Sequence, residues 1–382
     1  MPLSINIICL DVPFPANYGG AINMFHKIRW LKKLGVDVYL HSFMYGSRRE
    51  TSELNKYCKE VYYYKRNTNI SAFFSFLPYN ITSRVSKELK TNLLKNDFPI
   101  LFEALHSSYL YTDSEFDKRI KIHRESNIEH DYFFHLAKNE KNFLKRLYFF
   151  VEAYKLKWFE RHLAKSDLIL SVSTEDELYF KKTFSNVTTK YLSSFHQFDV
   201  GEFNLNPLEY ILYHGNLSVS ENYMAVDWLI DNVFSIINYK VIIAGLNAPA
   251  FLKTKILKYD HISLIENCSE EQMHKLIYEA KIHCLYTAQA TGLKLKLLNV
   301  LFSGGFVIAN SNMVHGTDLY MACNIANSPS QYLDHINKLM HLVFDENDVE
   351  NRKKIIQNYN NEINCRKLIG WIKDTISYKT KT

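Results

Sequence analysis

The sequence predicts an α/β fold built from two Rossmann-like, doubly wound parallel-sheet domains in tandem. Three observations lead there. The chain has 382 residues, two to three times a usual domain of roughly 150. A grammar of short apolar run, turn and amphipathic stretch is written twice, once from residue 5 and again from about residue 208. Glycine is scarce, at 12 residues, and sits where runs end: 19, 20, 35, 46, 201, 215, 245, 292, 304, 305, 316 and 370. None falls between 46 and 201, a Tyr-, Phe- and Lys-rich region that reads as helical.

Residues 5–10 form an apolar run suited to a buried parallel strand, and residues 11–20 are rich in turn formers. Ile22, Phe25, Ile28 and Leu31 keep helical spacing until Gly35 closes the helix. Residues 36–43 then alternate as a second strand, which completes a βαβ unit. In the second round residues 210–214 read as a strand, 215–218 as a turn and 221–233 as an amphipathic helix. Further strands are expected at 239–244, 261–265, 282–286 and 306–309, with helices near 270–280 and 294–304. The domains so predicted span 1–203 and 204–355. In such sheets ligands bind outside the carboxyl ends of the strands, so the loops after residues 10, 214, 244 and 289 are where chemistry is expected.

Composition narrows the class. Hydrophobic residues make up 47% and charged residues 23%, ordinary globular usage that excludes disorder. The first 200 residues carry 29 Lys+Arg against 22 Asp+Glu, while the remainder carries 17 against 18. The basic half suits an anionic partner or a membrane surface. No dense Lys/Arg run accompanies it, so no nucleic acid is expected. The six cysteines, at 9, 58, 268, 284, 323 and 365, form no C-x-x-C pair and read as buried hydrophobes in a reducing compartment. Residues 3–10 lack the basic start and long apolar run of a signal peptide. No window approaches the roughly 20 apolar residues that cross a bilayer. A cytoplasmic protein is expected, with contact at the inner face of a membrane left open.

Five stretches carry a resemblance to a known family: Pro13-Phe14-Pro15 through Gly19-Gly20; Arg124 to His130; Asp167 to Ser173; His214-Gly215-Asn216-Leu217-Ser218; and Thr291-Gly292-Leu293-Lys294-Leu295-Lys296-Leu297-Leu298-Asn299. In order and spacing the chain resembles, over nearly its whole length, the GT-B glycosyltransferases, and most of all their retaining family 4 branch. The resemblance implies two Rossmann-like domains facing across a cleft, with a C-terminal helix, 356–382, returning to the first. It also implies a nucleotide-sugar donor as co-substrate, no cofactor, and a saccharide or lipid-linked acceptor. The reaction would be hexosyl transfer with retention, in cell-surface polysaccharide or glycolipid synthesis. No D-x-D triplet occurs, so a metal-independent enzyme is expected. The departures mark a divergent branch. The two glutamates of the family fall on Thr291 and Asn299, its arginine and lysine on Asn216 and Glu221, and its histidine on Ser126, with His123 and His130 close by.

The residues themselves suggest roles. Gly292 lets a loop turn into a helix whose free N–H groups bind anions. Lys294 and Lys296 fall in its first turn, where cations oppose the macrodipole; that conflict is explained if they cradle a diphosphate, and otherwise they are solvated surface lysines. Asn299 could meet ribose hydroxyls, and Thr291 a donor sugar, a phosphate or the helix cap. The Gly19-Gly20 loop would bring backbone amides to the donor, helped by Asn17 and Asn23, and Gly215 and Asn216 would do the same after their strand. Glu125, Glu129 and His130 are the candidate catalytic group, able to bond sugar hydroxyls or take the acceptor proton; the bland alternative pairs Glu125 with Arg124 or Arg119. Residues 71–81 are aromatic-rich. Residues 141–165 read as a helix with Phe143, Leu147, Phe150, Tyr154 and Phe159 against Lys145, Arg146, Lys155, Lys157 and Arg161. That helix either lies in a membrane interface or packs on its own domain. Two rival functions remain at this point: a sugar-nucleotide epimerase of the same fold, and a catalytically silent sugar-nucleotide-binding scaffold.

Overall fold

The computed structural model describes residues 2–69, 75–140, 142–199, 201–290 and 293–380. It divides into two units, one of residues 1–197 with 361–382, the other of residues 198–360.

The first unit holds seven parallel strands: β1 (Ser4–Cys9), β2 (Asp37–Met44), β3 (Glu60–Lys65), β4 (Ile100–Glu103), β5 (Lys121–Glu125), β6 (Leu168–Ser171) and β7 (Thr188–Tyr191), in the order β3-β2-β1-β4-β5-β6-β7. The order reverses between β1 and β4, which makes the carboxyl ends of these two strands the switch point where a crevice opens. The pleat explains the two-sided core. Ile5, Ile7 and Cys9 point to one face with Ile28, Leu31, Val38 and Leu40, while Ile8 points to the other with Phe43, Ile100 and Phe102. The helix Gly19–Lys33 covers the first face, together with the last helix, Asn361–Lys379. Cys365, Leu368 and Ile372 of that last helix are buried in the same cluster.

The second unit holds six parallel strands: β8 (Leu208–Asn216), β9 (Lys240–Leu246), β10 (Ile262–Glu266), β11 (Ala280–Leu285), β12 (Phe306–Ala309) and β13 (Asn324–Ile325), in the order β10-β9-β8-β11-β12-β13. Its switch point lies between β8 and β11. Again the strand alternates, Ile211 and Tyr213 entering one cluster and Tyr210 and Leu212 the other.

Two sequence expectations need correction. The glycine-free region 47–200 is not helical throughout, since it also contains β3 to β7. These strands are four to six residues long, too short to show a period, and their turns use residues other than glycine. The C-terminal helix expected from 356 starts later, at Asn361. It follows the helix Glu346–Ile356, with a tight turn between. Among the described residues no helix is long and apolar enough to cross a membrane.

Candidate functional site

In the second unit, side chains from β8, β11 and two helices meet at the switch point. Asn216 ends β8 and folds its Oδ1 back onto the Ser218 amide at 3.1 Å and the Ser218 hydroxyl at 2.7 Å, while its carbonyl accepts from Asn222 Nδ2 at 2.9 Å. Gly215 packs against its neighbour on β9: a Cβ on Gly245 would stand 2.1 Å from the Gly215 carbonyl oxygen. The strands can approach this closely only with glycine there. After β11, Thr287 is fixed by Asn310, which accepts from its amide at 3.2 Å and donates to its carbonyl at 2.7 Å.

Onto this frame the helix Leu295–Ser303 presents its N-terminus, with no side-chain cap and no acid in its first turn. Lys294, at the cap position, is 12% exposed and reaches Glu221 Oε1 at 3.0 Å; the Thr287 hydroxyl donates to the same oxygen. Burial pushes the Glu221 carboxyl up, but the bonds from Thr287 and Lys294 outweigh it and hold the group below its ordinary value. Lys296 points to Asn222 Oδ1 at 2.8 Å and the Tyr213 hydroxyl at 3.3 Å, with its ammonium 5.2 Å from the Tyr213 ring centre. Its partners are neutral. Burial pulls it down from 10.5 to about 8, Glu221 working against the fall and Lys294 adding to it. His214, immediately before Gly215, is buried with neither ring nitrogen bonded to a described residue, and is held neutral by burial and by Lys296.

Lys294 and Lys296 are thus not solvated surface lysines; both turn inward to the helix Ser220–Asn232. Asn299 is half-buried, and its amide has no hydrogen-bond partner among the described residues. Thr291 and Gly292 lie outside the described residues.

In the first unit the expected Gly19-Gly20 loop is instead the first turn of the helix Gly19–Lys33, with Tyr18 at the cap position. A Cβ on Gly20 would meet the Tyr18 ring at 2.9 Å, so this glycine makes room for an aromatic ring. Asn17 Oδ1 accepts from Arg48. Asn23 is turned into the core, where it accepts from the Phe195 amide at 2.9 Å, and it is not at the disposal of a ligand. Arg48 also reaches Asp11 Oδ2 at 3.2 Å and the Val12 carbonyl at 2.6 Å. Arg84, nearly wholly buried, donates to the carbonyls of Leu10 at 2.9 Å and Asn80 at 2.6 Å, and burial followed by Arg66 lowers it to about 9.

The candidate catalytic group is only partly brought together. Glu125 ends β5 and accepts from the Leu105 amide at 3.0 Å and bonds His123 Nε2 at 2.9 Å. Burial, then the nearby Glu129, drives its carboxyl well above the usual range, while burial drops His123 to about 4. His123 is therefore neutral near pH 7, and burial works against the charge on Glu125. Glu129 sits close by, 3.1 Å from His106 Nε2. His130, next to Glu129 in the helix Glu129–Asn139, is buried, bonds Glu160 through Nδ1 at 3.0 Å and lies 3.4 Å from Asp131 through Nε2, and Glu160 also accepts from the Tyr179 hydroxyl at 2.5 Å. The Glu160 carboxylate that it bonds is among the charges that act on Glu125 and His123. Glu125 does not pair with Arg124 or Arg119, whose donors go to the carbonyls of Leu192, Ser193, Leu93, Asn96 and Phe98.

Sequence reasoning missed His106, the Arg48–Asp11 contact, Arg84 and the buried ion pair of Lys27 with Glu103. Lys27 had a signal, since it shares the apolar face of Met24 and Leu31. Next to Glu103, Ala104 adopts φ +64° and ψ 158°, a region nearly reserved for glycine and typical of functional sites.

No family model matches the chain. A relative from Klebsiella pneumoniae, an uncharacterized 44.6 kDa protein in a cps region, is 28% identical over 335 residues, covering 82% of this chain and 84% of that one. Among solved structures, sucrose-phosphate synthase from Thermosynechococcus elongatus superposes with a TM-score of 0.65 at 14% identity, over 98% of this chain and 100% of the other. A glycosyltransferase from Rickettsia africae gives 0.63 at 13% identity, over 98% and 99%. HepE from Anabaena, solved with UDP and glucose, gives 0.59 at 11% identity, over 97% and 100%. The chain has the GT-B fold. In GT-B terms the second unit's constellation stands at the carboxyl ends of β8 and β11, and the first unit's at those of β1, β4 and β5.

Proposed function

We propose that this GT-B protein is a glycosyltransferase that binds a nucleotide-sugar through its second unit and transfers the sugar, with retention, to a saccharide or lipid-linked acceptor. One observation carries the reading: Lys294 and Lys296 are both drawn inward at a helix N-terminus at the switch point, and Lys296 has only neutral partners. A buried cation whose bonded partners are all neutral, and whose nearby carboxylate Glu221 is already bonded to Lys294, is costly, and a diphosphate would supply further negative charge. The same ammonium groups and helix amides would then stabilise the negative charge that grows on the departing nucleoside diphosphate. Asn216, Gly215 and Asn299 would line the donor.

In the first unit Glu125 and Glu129 are the acceptor-side pair. Glu125, whose carboxyl burial pushes toward its protonated form, would donate a hydrogen bond to a sugar hydroxyl, and Glu129 with His106 would accept one. The leaving phosphate takes the acceptor proton, so no protein nucleophile and no metal enter the scheme. The relative in a cps region supports cell-surface polysaccharide synthesis on the cytoplasmic side of a membrane. The test is titration of UDP and other nucleoside diphosphates into the protein. Lys294→Ala combined with Lys296→Ala should weaken binding at least tenfold, roughly 1.4 kcal/mol. Unchanged affinity removes the phosphate assignment, and tight binding of nucleotide sugars without turnover on any acceptor favours a silent scaffold.

A further inference from the structure

The helix Phe143–Glu160 is apolar on two faces. Ala153, Leu156 and Phe159 are buried, together with Glu152 and Glu160. Phe143, Leu144, Leu147, Val151, Tyr154 and Trp158 are exposed, the first two by 74% and 73% and Tyr154 by 66%. At about 100° per residue these six fall within an arc of about 100°, nearly opposite the buried set. A helix that only covers a core turns polar residues outward; here the outermost stripe is apolar.

The charges around it have one sign. Arg146, Lys157 and Arg161 flank the stripe on one side, and Lys155, on the other, is paired with Glu152 at 3.0 Å. The helix's two acids face inward, Glu152 accepting from the Tyr79 amide at 2.7 Å and Glu160 from Tyr179. Arg161 stacks on the Trp158 ring at 4.0 Å, an amphipathic pair suited to a boundary between water and hydrocarbon. Near Tyr79, which the Glu152 bond ties to this helix, Phe76 is 94% exposed. A second copy of the same face would set these cations against their own kind, so the charge pattern asks for an anionic occupant.

We infer that the outward face of Phe143–Glu160 docks on an anionic lipid surface, with Leu147, Tyr154 and Trp158 entering the boundary between headgroups and acyl chains and Arg146, Lys157 and Arg161 meeting headgroup anions. The inference stands on this surface alone and not on the sugar-transfer reading. It is tested by flotation of the full chain with vesicles of phosphatidylcholine, or of phosphatidylcholine mixed with phosphatidylglycerol. The wild type should bind the mixed vesicles, weakly bind the neutral ones, and come off as salt rises. Leu147→Ser, Tyr154→Ser and Trp158→Ser together should cut binding at least tenfold with an unchanged thermal transition, since all three side chains are exposed. Each of Arg146→Gln, Lys157→Gln and Arg161→Gln should cost about fivefold. Equal partitioning of wild type and triple variant overturns the inference. So does a wild-type oligomer that the triple variant dissolves without any vesicle binding, which would make the face an interface between copies.

Discussion

Replacing Lys296 with methionine keeps the side-chain volume and removes the charge, so it should stabilise the protein while weakening anion binding. The magnitude follows from the surroundings of the ammonium. Its pKa falls from 10.5 to about 8, burial first, with Glu221 opposing and Lys294 adding. At 1.36 kcal/mol per unit, keeping it charged at neutral pH costs about 3 kcal/mol relative to the unfolded chain. Methionine forfeits the bonds to Asn222 and Tyr213, each about 1 kcal/mol, which leaves a net gain of about 1 kcal/mol. The pH dependence has a definite sign. Unfolded, the lysine keeps its proton up to 10.5, and folded, it releases it near 8. The cost is therefore full below about pH 8 and fades between there and 10.5, where the wild type regains ground on the variant. Unfolding midpoints of both proteins at about pH 7 and about pH 10, with titration of a nucleoside diphosphate at pH 7, check all of this. A Lys296→Met chain that is less stable at pH 7 and binds the diphosphate unchanged would refute the reasoning and make Lys296 a structural member of the Tyr213–Asn222 cluster.

Two further outcomes concern the first unit. Ala104→Gly should raise the unfolding midpoint, since relief of about 1–3 kcal/mol of backbone strain exceeds the glycine entropy cost of roughly 0.5–1 kcal/mol; a lower midpoint would mean that the φ of +64° carries no strain. Glu103→Gln should destabilise by about 3–5 kcal/mol, because it leaves the Lys27 ammonium buried and unpaired. Lys27→Met with Glu103→Leu in one chain should recover most of that loss in denaturant unfolding, and failure to recover it would mean that the pair does more than balance charge.

What the sequence shows and hides follows from the range of each signal. The first βαβ unit is legible because its cues are local: apolar spacing from Ile22 to Leu31, and Gly35, which the structure places just past the helix at φ +79°. β8 to β12 are legible for the same reason. β4, β6 and β7 are not, because four residues of strand carry no period and their neighbours in the sheet lie 20 to 94 positions away. His130 is the second residue of the helix that follows β5, and the Glu160 it bonds lies 30 residues on, out of reach of any local pattern. The ion pair of Lys294 with Glu221 spans 73 residues, and no local pattern announces it.

That ion pair also joins two departures that look unrelated in the sequence. The family resemblance puts cations after β8 and carboxylates along residues 291 to 299. This chain has a carboxylate, Glu221, after β8, and cations, Lys294 and Lys296, in the second stretch. The structure closes Glu221 on Lys294 at 3.0 Å, so the signs are exchanged across one contact, and a charge of each kind remains at the switch point. The exchange moves the surplus positive charge from the β8 loop to the N-terminus of the helix Leu295–Ser303, where helix amides add to it. A diphosphate held there needs no cation at Asn216. On the proposed reading, the lysines of the second stretch would stand in for the cation that Asn216 lacks.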